Sequence, residues 1–519
     1  MKKTLLFCTM LFCLNATAQI NRLSEISSGK MLDSEIIYEN KGEDVYGYLL
    51  LYQKDIVEKN KFELEVVLLD KNLNKVSSAI FEKKNTAQMK NFILIQAGQQ
   101  NMKQSVTKML YAVKMGDKIV ICMIDRGVSP VEEYIDLDLK TNTLSEPYCF
   151  VDFKTYKRTE ADLKDVSFHF KTKTASYISD NFFAIEKKFG SNPNKPNYRK
   201  KSTLHFYDKD FNTLFEYKYD KSPTKNGSTD ISVVADNENY ILCYKTESKK
   251  DKDKKPFNYF VIIDKNNGVE KSTIKFESDL YDFSYGSAKF VNNEVHFSGH
   301  FRKKGSVFSS KKHLGFYHGV FDIETGKQKK LNVAKFTDFA SYYKSITPNG
   351  NIKKEGYLHP LHHYYTKEGK LVMVTETFSD FKNPTIGNMY LLEFDSNMKI
   401  STFQKIDKTP RTYKYYRGNG YLLAKFGLFD YLYAQKLQDV DNGFVLFYAN
   451  NEKEGKRGKK KPDYKLGIVT YIDGKFENEK ISLKTSDGQI YPMKAKNGYI
   501  MLREVSNNDV EFRLEKINY

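Results

Sequence analysis

The stretch that decides the fold is Asp236-Asn237-Glu238-Asn239, followed at once by the apolar run Tyr240-Ile241-Leu242-Cys243-Tyr244. A polar loop over 245–256 leads to a second apolar run, Tyr259-Phe260-Val261-Ile262-Ile263-Asp264, and then to the turn Lys265-Asn266-Asn267-Gly268. Asn and Asp supply local hydrogen bonds, and Gly supplies the positive φ that tight turns need. The pattern therefore predicts a pair of short strands bounded by turns.

The same pattern returns eight times along the chain. The first strand of each pair is predicted over Val45–Tyr52, Lys118–Ile124, Asn181–Lys187, Asn239–Tyr244, Glu294–Phe301, Lys370–Thr377, Gly443–Tyr448 and Gly498–Glu504. The second strands end near Asp70, Asp136, Asp208, Asp264, Asp322, Asp395 and Asp473, and the last second strand covers Val510–Ile517. Short strands at repeated spacing, separated by turn signals, predict an all-β protein of the β-propeller class.

The repeat count predicts eight blades in a single domain over residues 19–519. The eighth unit ends one strand early, so the segment Ile20–Ser27 is expected to add its outer strand and close the ring. Seven blades with an irregular insertion are the alternative. Runs such as Ile119-Val120-Ile121 and Val445-Leu446-Phe447 are apolar at consecutive positions, which is typical of strands buried on both faces.

The N-terminus has the features of a signal peptide over residues 1–18. Lys2 and Lys3 precede the apolar run 5–14, and Ala16-Thr17-Ala18 forms a small-residue cleavage site before Gln19. Phe precedes both Cys8 and Cys13, which argues against a lipid-anchored signal. We therefore expect an exported protein without a transmembrane segment, with the periplasm as the favoured location and the extracellular space as the alternative.

Three cysteines remain after the signal: Cys122, Cys149 and Cys243. An odd number argues against a disulfide framework. Cys122 and Cys243 lie within apolar strands, so we interpret them as buried small hydrophobic residues.

The chain carries a formal net charge of +18, and much of the excess falls in loops between the second and third strands of the predicted blades. The loop 187–203 alone contains six basic residues and no acidic one. Because such loops share one face of a propeller, their charge would attract polyanions. The candidate polyanion-binding residues are Lys200, Lys201, Lys254, Lys255, Lys303, Lys304, Lys459 and Lys460. The alternative is a solvated surface with a compositional excess of lysine.

Seven of the nine histidines fall between His296 and His363. The closest group is His359, His362 and His363, which is the candidate metal site. No carboxylate stands among them at a metalloenzyme spacing, so we favour polar packing and expect no metal or other cofactor. Tyrosine strips such as Tyr413-Lys414-Tyr415-Tyr416-Arg417 suit sugar or peptide binding, with packing between blades as the favoured interpretation.

Sequence signatures of enzymes do not occur in the chain. There is no G-x-S-x-G elbow, no Walker loop and no H-E-x-x-H motif, and tryptophan is absent. We therefore expect a non-catalytic binding or scaffold module that engages an envelope protein or an acidic polysaccharide, rather than nucleic acid, through the basic loop face or the central channel of the propeller. A carbohydrate-active hydrolase or lyase with a site at the channel mouth, and a structural subunit of an envelope complex, are the alternatives.

Three short stretches of the chain are similar to those of a known group of proteins. They are Ala16-Thr17-Ala18-Gln19-Ile20 and the strand openings Asn442-Gly443-Phe444 and Asn497-Gly498-Tyr499. With the bias toward Lys, Asn and Tyr, the chain resembles exported propeller-type proteins of Bacteroidota-type bacteria that have no assigned activity. The resemblance covers the mature chain loosely, and it implies an exported propeller without implying a reaction.

Overall fold

The computed structural model describes residues 21–22, 26–39, 44–58, 61–84, 107–125, 132–147, 175–179, 182–188, 201–208, 212–220, 228–248, 257–306, 312–366, 368–379, 382–414, 416, 418–425, 427–437, 440, 442–454, 461–483, 488–506 and 510–517. Within these residues nearly all regular structure is β, which confirms the all-β part of the predicted fold class. The chain divides into two compact units, unit 1 (1–219 and 485–519) and unit 2 (220–484). The single domain over 19–519 stays a prediction.

Among the described residues, the N-terminal part of unit 1 contains twelve strands. They are β1 (Asn21–Arg22), β2 (Lys30–Glu39), β3 (Asp44–Glu58), β4 (Lys61–Asp70), β5 (Lys75–Lys84), β6 (Thr107–Met115), β7 (Lys118–Asp125), β8 (Glu132–Asp138), β9 (Ala175–Ile178), β10 (Phe182–Lys188), β11 (Lys201–Asp208) and β12 (Thr213–Asp220). The last residue of β12 is the first of unit 2.

Unit 2 contains eighteen strands and two short helices within the described residues. The strands are β13 (Ser228–Asp236), β14 (Tyr240–Ser248), β15 (Phe257–Asp264), β16 (Glu270–Ile274), β17 (Tyr281–Val291), β18 (Glu294–Lys303), β19 (His313–Asp322), β20 (Gln328–Lys335), β21 (Asn351–Ile352), β22 (Gly356–Tyr365), β23 (Leu371–Ser379), β24 (Thr385–Phe394), β25 (Ile400–Ile406), β26 (Arg411–Thr412), β27 (Tyr431–Lys436), β28 (Phe444–Glu454), β29 (Lys461–Ile472) and β30 (Lys475–Ser482). A 3₁₀ helix covers Phe336–Ser341, and α1 covers Gly420–Lys425. Unit 1 ends with β31 (Gly488–Lys494), β32 (Tyr499–Ser506) and β33 (Val510–Lys516).

The strands form antiparallel meanders in sequence order. In unit 2 the sheets are β13–β16, β17–β20, β27–β30, and β21–β25 with β26 paired to β24. In unit 1 the sheet β9–β12 is a further meander of four strands. A single parallel pair, Tyr38 with Val113, joins β2–β5 to β6–β8 in one sheet. A meander of about four strands is the unit of a propeller blade.

All eight predicted first strands are strands of the structure, and so are their partners. β1 pairs with β33 and forms the fourth strand of the sheet β1-β33-β32-β31, as the prediction for Ile20–Ser27 requires. The number of blades and the closure of a ring stay predictions. The first hairpin is longer than the predicted strand Val45–Tyr52, because β3 continues to Glu58 and its exposed end still pairs with β4. Backbone pairing thus extends beyond the apolar part of this hairpin.

The turns have the chemistry that the sequence predicts. The carboxylate of Asp264 accepts a hydrogen bond from the amide of Asn266, and Gly268 has φ +70°. The carboxylate of Asp322 likewise accepts one from the amide of Thr325 at 2.9 Å, and Gly326 has φ +66°. These aspartates therefore serve as turn residues.

Apolar cores lie between successive sheets, which explains the continuous apolar runs. In β23, Leu371 and Met373 pack with Phe316 of β19, whereas Val372 and Val374 pack with Leu446 of β28. Eight of the nine residues of β23 are buried. A central strand of unit 2 is thus covered on both faces, as predicted. Cys122 and Cys243 are buried, as expected, whereas Cys149 lies outside the described residues.

Candidate functional site

A cleft of about 1210 Å³ in unit 2 is the candidate functional site. Its lining comes from β14, β15, β17 and β18, from the connection 275–280 and from α1. Seven of the lining side chains are aromatic: Tyr244, Phe260, Phe276, Tyr281, Phe283, Tyr285 and Tyr421. Concave, mostly apolar surfaces with a few polar groups are the usual form of ligand sites.

Strand β17 supplies the aromatic wall. Tyr281, Phe283 and Tyr285 alternate along the strand and therefore share one face. All three are only partly buried, so part of each side chain remains accessible to a ligand. Tyr285 packs against Tyr244 at 4.7 Å between ring centroids and meets Phe260 edge-on at 5.3 Å. These contacts hold the rings in defined orientations.

Arg302 stands at the polar side of the cleft. Its Nη1 donates to Ser284 Oγ at 2.8 Å and its Nε donates to the carbonyl of Ser306 at 3.3 Å, while Nη2 lies 3.6 Å from Asp282. Lys304 donates to the carbonyl of Ser278 at 2.6 Å.

Together with Lys275, these two cations balance three carboxylates of the lining, Glu277, Asp279 and Asp282. The cleft therefore offers hydrogen-bond donors and acceptors without a large net charge.

The phenol groups of the cleft act as neutral hydrogen-bond groups. Burial raises the pKa of Tyr285 to about 12, with a further contribution from Tyr244. Burial also raises the pKa of Tyr244 and of Tyr421. The phenolate form is costly in such surroundings. These hydroxyls consequently donate and accept hydrogen bonds, and they are poor general bases at neutral pH.

Behind the cleft lies a group of buried histidines. Tyr421 Oη lies 3.4 Å from His300 Nδ1, and the ring of His300 stacks on His313 at 4.0 Å. His359 packs on Phe429 with nearly parallel rings. Burial is the largest cause that lowers the pKa of His313 to about 4 and of His359 to about 3. The histidines are therefore neutral packing groups at pH 7.

The structure does not bring the candidate metal site together. His359 and His363 are buried in β22, whereas His362 is half-buried and stacks on Tyr431 at 5.9 Å. A bulge between Pro360 and His362 changes the alternation of the strand. Within the part of the chain that the structure describes, no group of three or more His, Cys, Asp and Glu residues could hold a metal ion.

The candidate polyanion-binding lysines are described only in part. Lys303 and Lys304 are exposed at the end of β18, next to the cleft. Lys201 begins β11. The other five, Lys200, Lys254, Lys255, Lys459 and Lys460, lie outside the described residues. For those positions the basic face stays a prediction from the sequence.

Two features of unit 2 escaped sequence analysis. The first is the cleft, for which the alternation Tyr281-x-Phe283-x-Tyr285 was an available signal. The second is a buried ionic group formed by Glu376, Lys408 and Asp430. Those residues carry no local pattern, because they are far apart in the sequence.

No helix among the described residues is long and apolar enough to cross a membrane.

The sequence comparisons match only the N-terminal part of the chain. A family of unknown function (DUF6770) matches residues 1–95. No curated protein matches the chain significantly.

Solved structures with a similar fold are distant. An ulvan lyase from a new family of polysaccharide lyases has 9% identity over 78% of this chain and 91% of its own, with a TM-score of 0.36. The β-propeller domain of the trilobed protease from Pyrococcus furiosus has 12% identity over 87% and 97%, with a TM-score of 0.34. A quinohemoprotein alcohol dehydrogenase from Comamonas testosteroni has 11% identity over 80% and 69%, with a TM-score of 0.37.

Proposed function

We propose that this protein is a non-catalytic, exported binding module of the cell envelope that holds a glycan in the cleft of unit 2. The observation that carries the proposal is the row of partly buried rings Tyr281, Phe283 and Tyr285 beside Arg302 and Asp282. Sugar rings present apolar C–H faces and a rim of hydroxyl groups. The aromatic side chains of β17 can pack against the C–H faces of a sugar ring, and the balanced hydrogen-bond donors and acceptors of the cleft can bind its hydroxyl groups.

A binding role is favoured over catalysis by the electrostatics of the cleft. A hydrolase or lyase needs a group that accepts a proton from substrate or water. Burial opposes ionisation of Tyr285 and Tyr421, and it opposes protonation of His300. Asp282 is held by the amide of Gly305 at 3.0 Å and lies close to Arg302. Glu277 and Asp279 are exposed carboxylates of the same lining, so a carbohydrate-active hydrolase or lyase stays the second candidate.

Calorimetric titration with an acidic oligosaccharide (an oligogalacturonate) and a neutral one (maltohexaose) tests the proposal. The variant Tyr285→Leu keeps an apolar side chain but removes the stacking face and the hydroxyl, so affinity should fall about tenfold, the equivalent of about 1.4 kcal/mol. Tyr343→Leu is the matched control, since Tyr343 is a partly buried ring that stacks on Phe403 outside the cleft lining. Equal affinity of wild type and Tyr285→Leu would overturn the cleft as the binding site, and release of shortened saccharide would overturn the non-catalytic role.

We also infer that the basic loops form a second contact surface for envelope polyanions, which adjoins the cleft at Lys304. The support is the charge of the sequence together with the exposure of Lys303 and Lys304. Changing all eight candidate lysines to Gln should abolish the salt-sensitive part of binding to an acidic polysaccharide. If the variant and the wild type bind equally across a salt series, the lysine excess is compositional.

A further inference from the structure

A buried lysine between two buried carboxylates lies close behind α1 in unit 2. Lys408 Nζ is 2.7 Å from Glu376 Oε2 and 2.9 Å from Asp430 Oδ2. The exposed fractions of the three side chains are 0%, 0% and 4% for Lys408, Glu376 and Asp430. Burying charged side chains is costly even when they are paired, so burial of this group is weak evidence for a purely stabilising role.

The surroundings orient all three groups. Glu376 accepts hydrogen bonds from the backbone amides of Asp430 at 3.2 Å and Tyr431 at 2.5 Å. The backbone amide of Lys408 donates to Asn388 Oδ1 at 2.8 Å. Arg411 Nη2 lies 2.8 Å from Asp430 Oδ1, the oxygen that Lys408 does not contact. The amine therefore approaches one oxygen of Asp430 while a guanidinium holds the other.

We propose that this group forms an intramolecular amide bond between Lys408 Nζ and Asp430 Cγ, with Glu376 as the proton carrier. Lys408 first gives a proton to Glu376, which passes it to Asp430 Oδ2, and the neutral amine then attacks Cγ of the protonated Asp430 carboxyl. Negative charge on Asp430 Oδ1 is stabilised by Arg411. The two protons that leave Nζ, carried by Glu376, convert Oδ2 to water, which departs. The ammonium and the carboxylate thus become an amide and one water molecule, and Glu376 returns to its starting form without any oxidant or reductant.

Two physical effects favour this condensation in the folded protein. The amine and the carboxylate are already in contact, and oriented intramolecular reactions reach effective concentrations of about 10⁵ to 10⁸ M. Burial disfavours the charged forms and the return of water. In agreement, desolvation raises the pKa of Glu376, which suits a carboxyl that must hold a proton during the reaction. The bond would close the loop 408–430, which carries α1 and Tyr421 beside the cleft.

Mass spectrometry of the denatured wild-type protein tests the proposal. After trypsin digestion, peptide 406–411 should appear joined to peptide 426–436, lighter than their sum by one water molecule and uncut after Lys408. Separate peptides at their full masses, with cleavage after Lys408, would overturn the proposal. This readout needs no variant and does not depend on the ligand of the cleft.

The variant Glu376→Gln tests the proton carrier. It should leave the two peptides unjoined, whereas Glu393→Gln should keep them joined. Glu393 is the matched control because it is also buried, on the neighbouring strand β24, where it accepts a hydrogen bond from Tyr471 at 2.6 Å. A joined product in Glu376→Gln, or its loss in both variants, would overturn the role of Glu376. A joined product that persists in Asp430→Ala would overturn the assignment of Asp430.

Discussion

The buried histidines of unit 2 should make its stability strongly dependent on pH. In the folded protein the pKa of His318, His359 and His363 is lowered to about 3 and that of His313 to about 4, and burial is the largest cause. The pKa of a histidine in the unfolded chain is 6.5. Between these pH values the unfolded state holds more protons than the folded state, so acidification favours unfolding. The stability is fully present above pH 6.5 and is lost as the pH falls.

The magnitude follows from the shifts. Below pH 6.5 each such histidine removes about 1.4 kcal/mol of stability per pH unit, or about 2 kcal/mol between pH 7 and pH 5. Four of them remove about 8 kcal/mol, which is comparable with the total stability of about 5 to 15 kcal/mol of an ordinary domain. Burial raises the pKa of Glu35 in unit 1 to about 7, and that of Glu376, so both carboxyls act in the opposite direction.

Comparison of a variant with the wild type isolates the histidine contribution. In His363→Gln the loss of stability between pH 7 and pH 5 should be smaller by about 2 kcal/mol than in the wild type. His362→Gln on the same strand is the control, because His362 is only half-buried and should change the pH dependence less. Urea unfolding followed by circular dichroism at pH 7, 6 and 5 gives both values. An identical pH dependence in His363→Gln and the wild type would refute the reasoning.

Three further predictions concern the strands and turns. Gly427→Ala should destabilise unit 2 by about 1 kcal/mol, because the space around Gly427 is open and only its φ of +62° opposes a side chain. Gly315→Ala should destabilise unit 2 several times more, because a Cβ at Gly315 would overlap the carbonyl of Ala334. Equal melting temperatures of the two variants would contradict this. Deleting residues 20–30 should lower the melting temperature sharply, since it removes β1 and the hydrogen bond from Ser27 to Glu65 at 2.6 Å; an unchanged melt would show that the pairing of β1 with β33 is dispensable. Burial raises the pKa of the Cys243 thiol, so a thiol reagent should label Cys243 only after unfolding, and rapid labelling of the native protein would show that this strand opens.

The sequence by itself determined the strands and the turns of this protein. Turn chemistry at Asp264–Gly268 and the apolar runs of β14, β15 and β23 are local, since each depends on residues within a few positions of one another. Continuous apolar runs also indicated burial on both faces, because only a covered strand keeps both faces apolar. Eight strand pairs were therefore placed to within a few residues.

Only the tertiary structure decided the cleft and the buried ionic group. Lys408 is 32 residues from Glu376 and 22 residues from Asp430 in the sequence. Nothing in the local sequence around each of them distinguishes it from an ordinary charged residue on the surface. Charged residues are rarely buried without partners, so their burial depends on which sheets pack together. Likewise the sequence shows seven histidines in one region, but only the tertiary packing stacks His300 on His313 and His359 on Phe429. Convergence of distant side chains is a property of packing, and no local pattern encodes it.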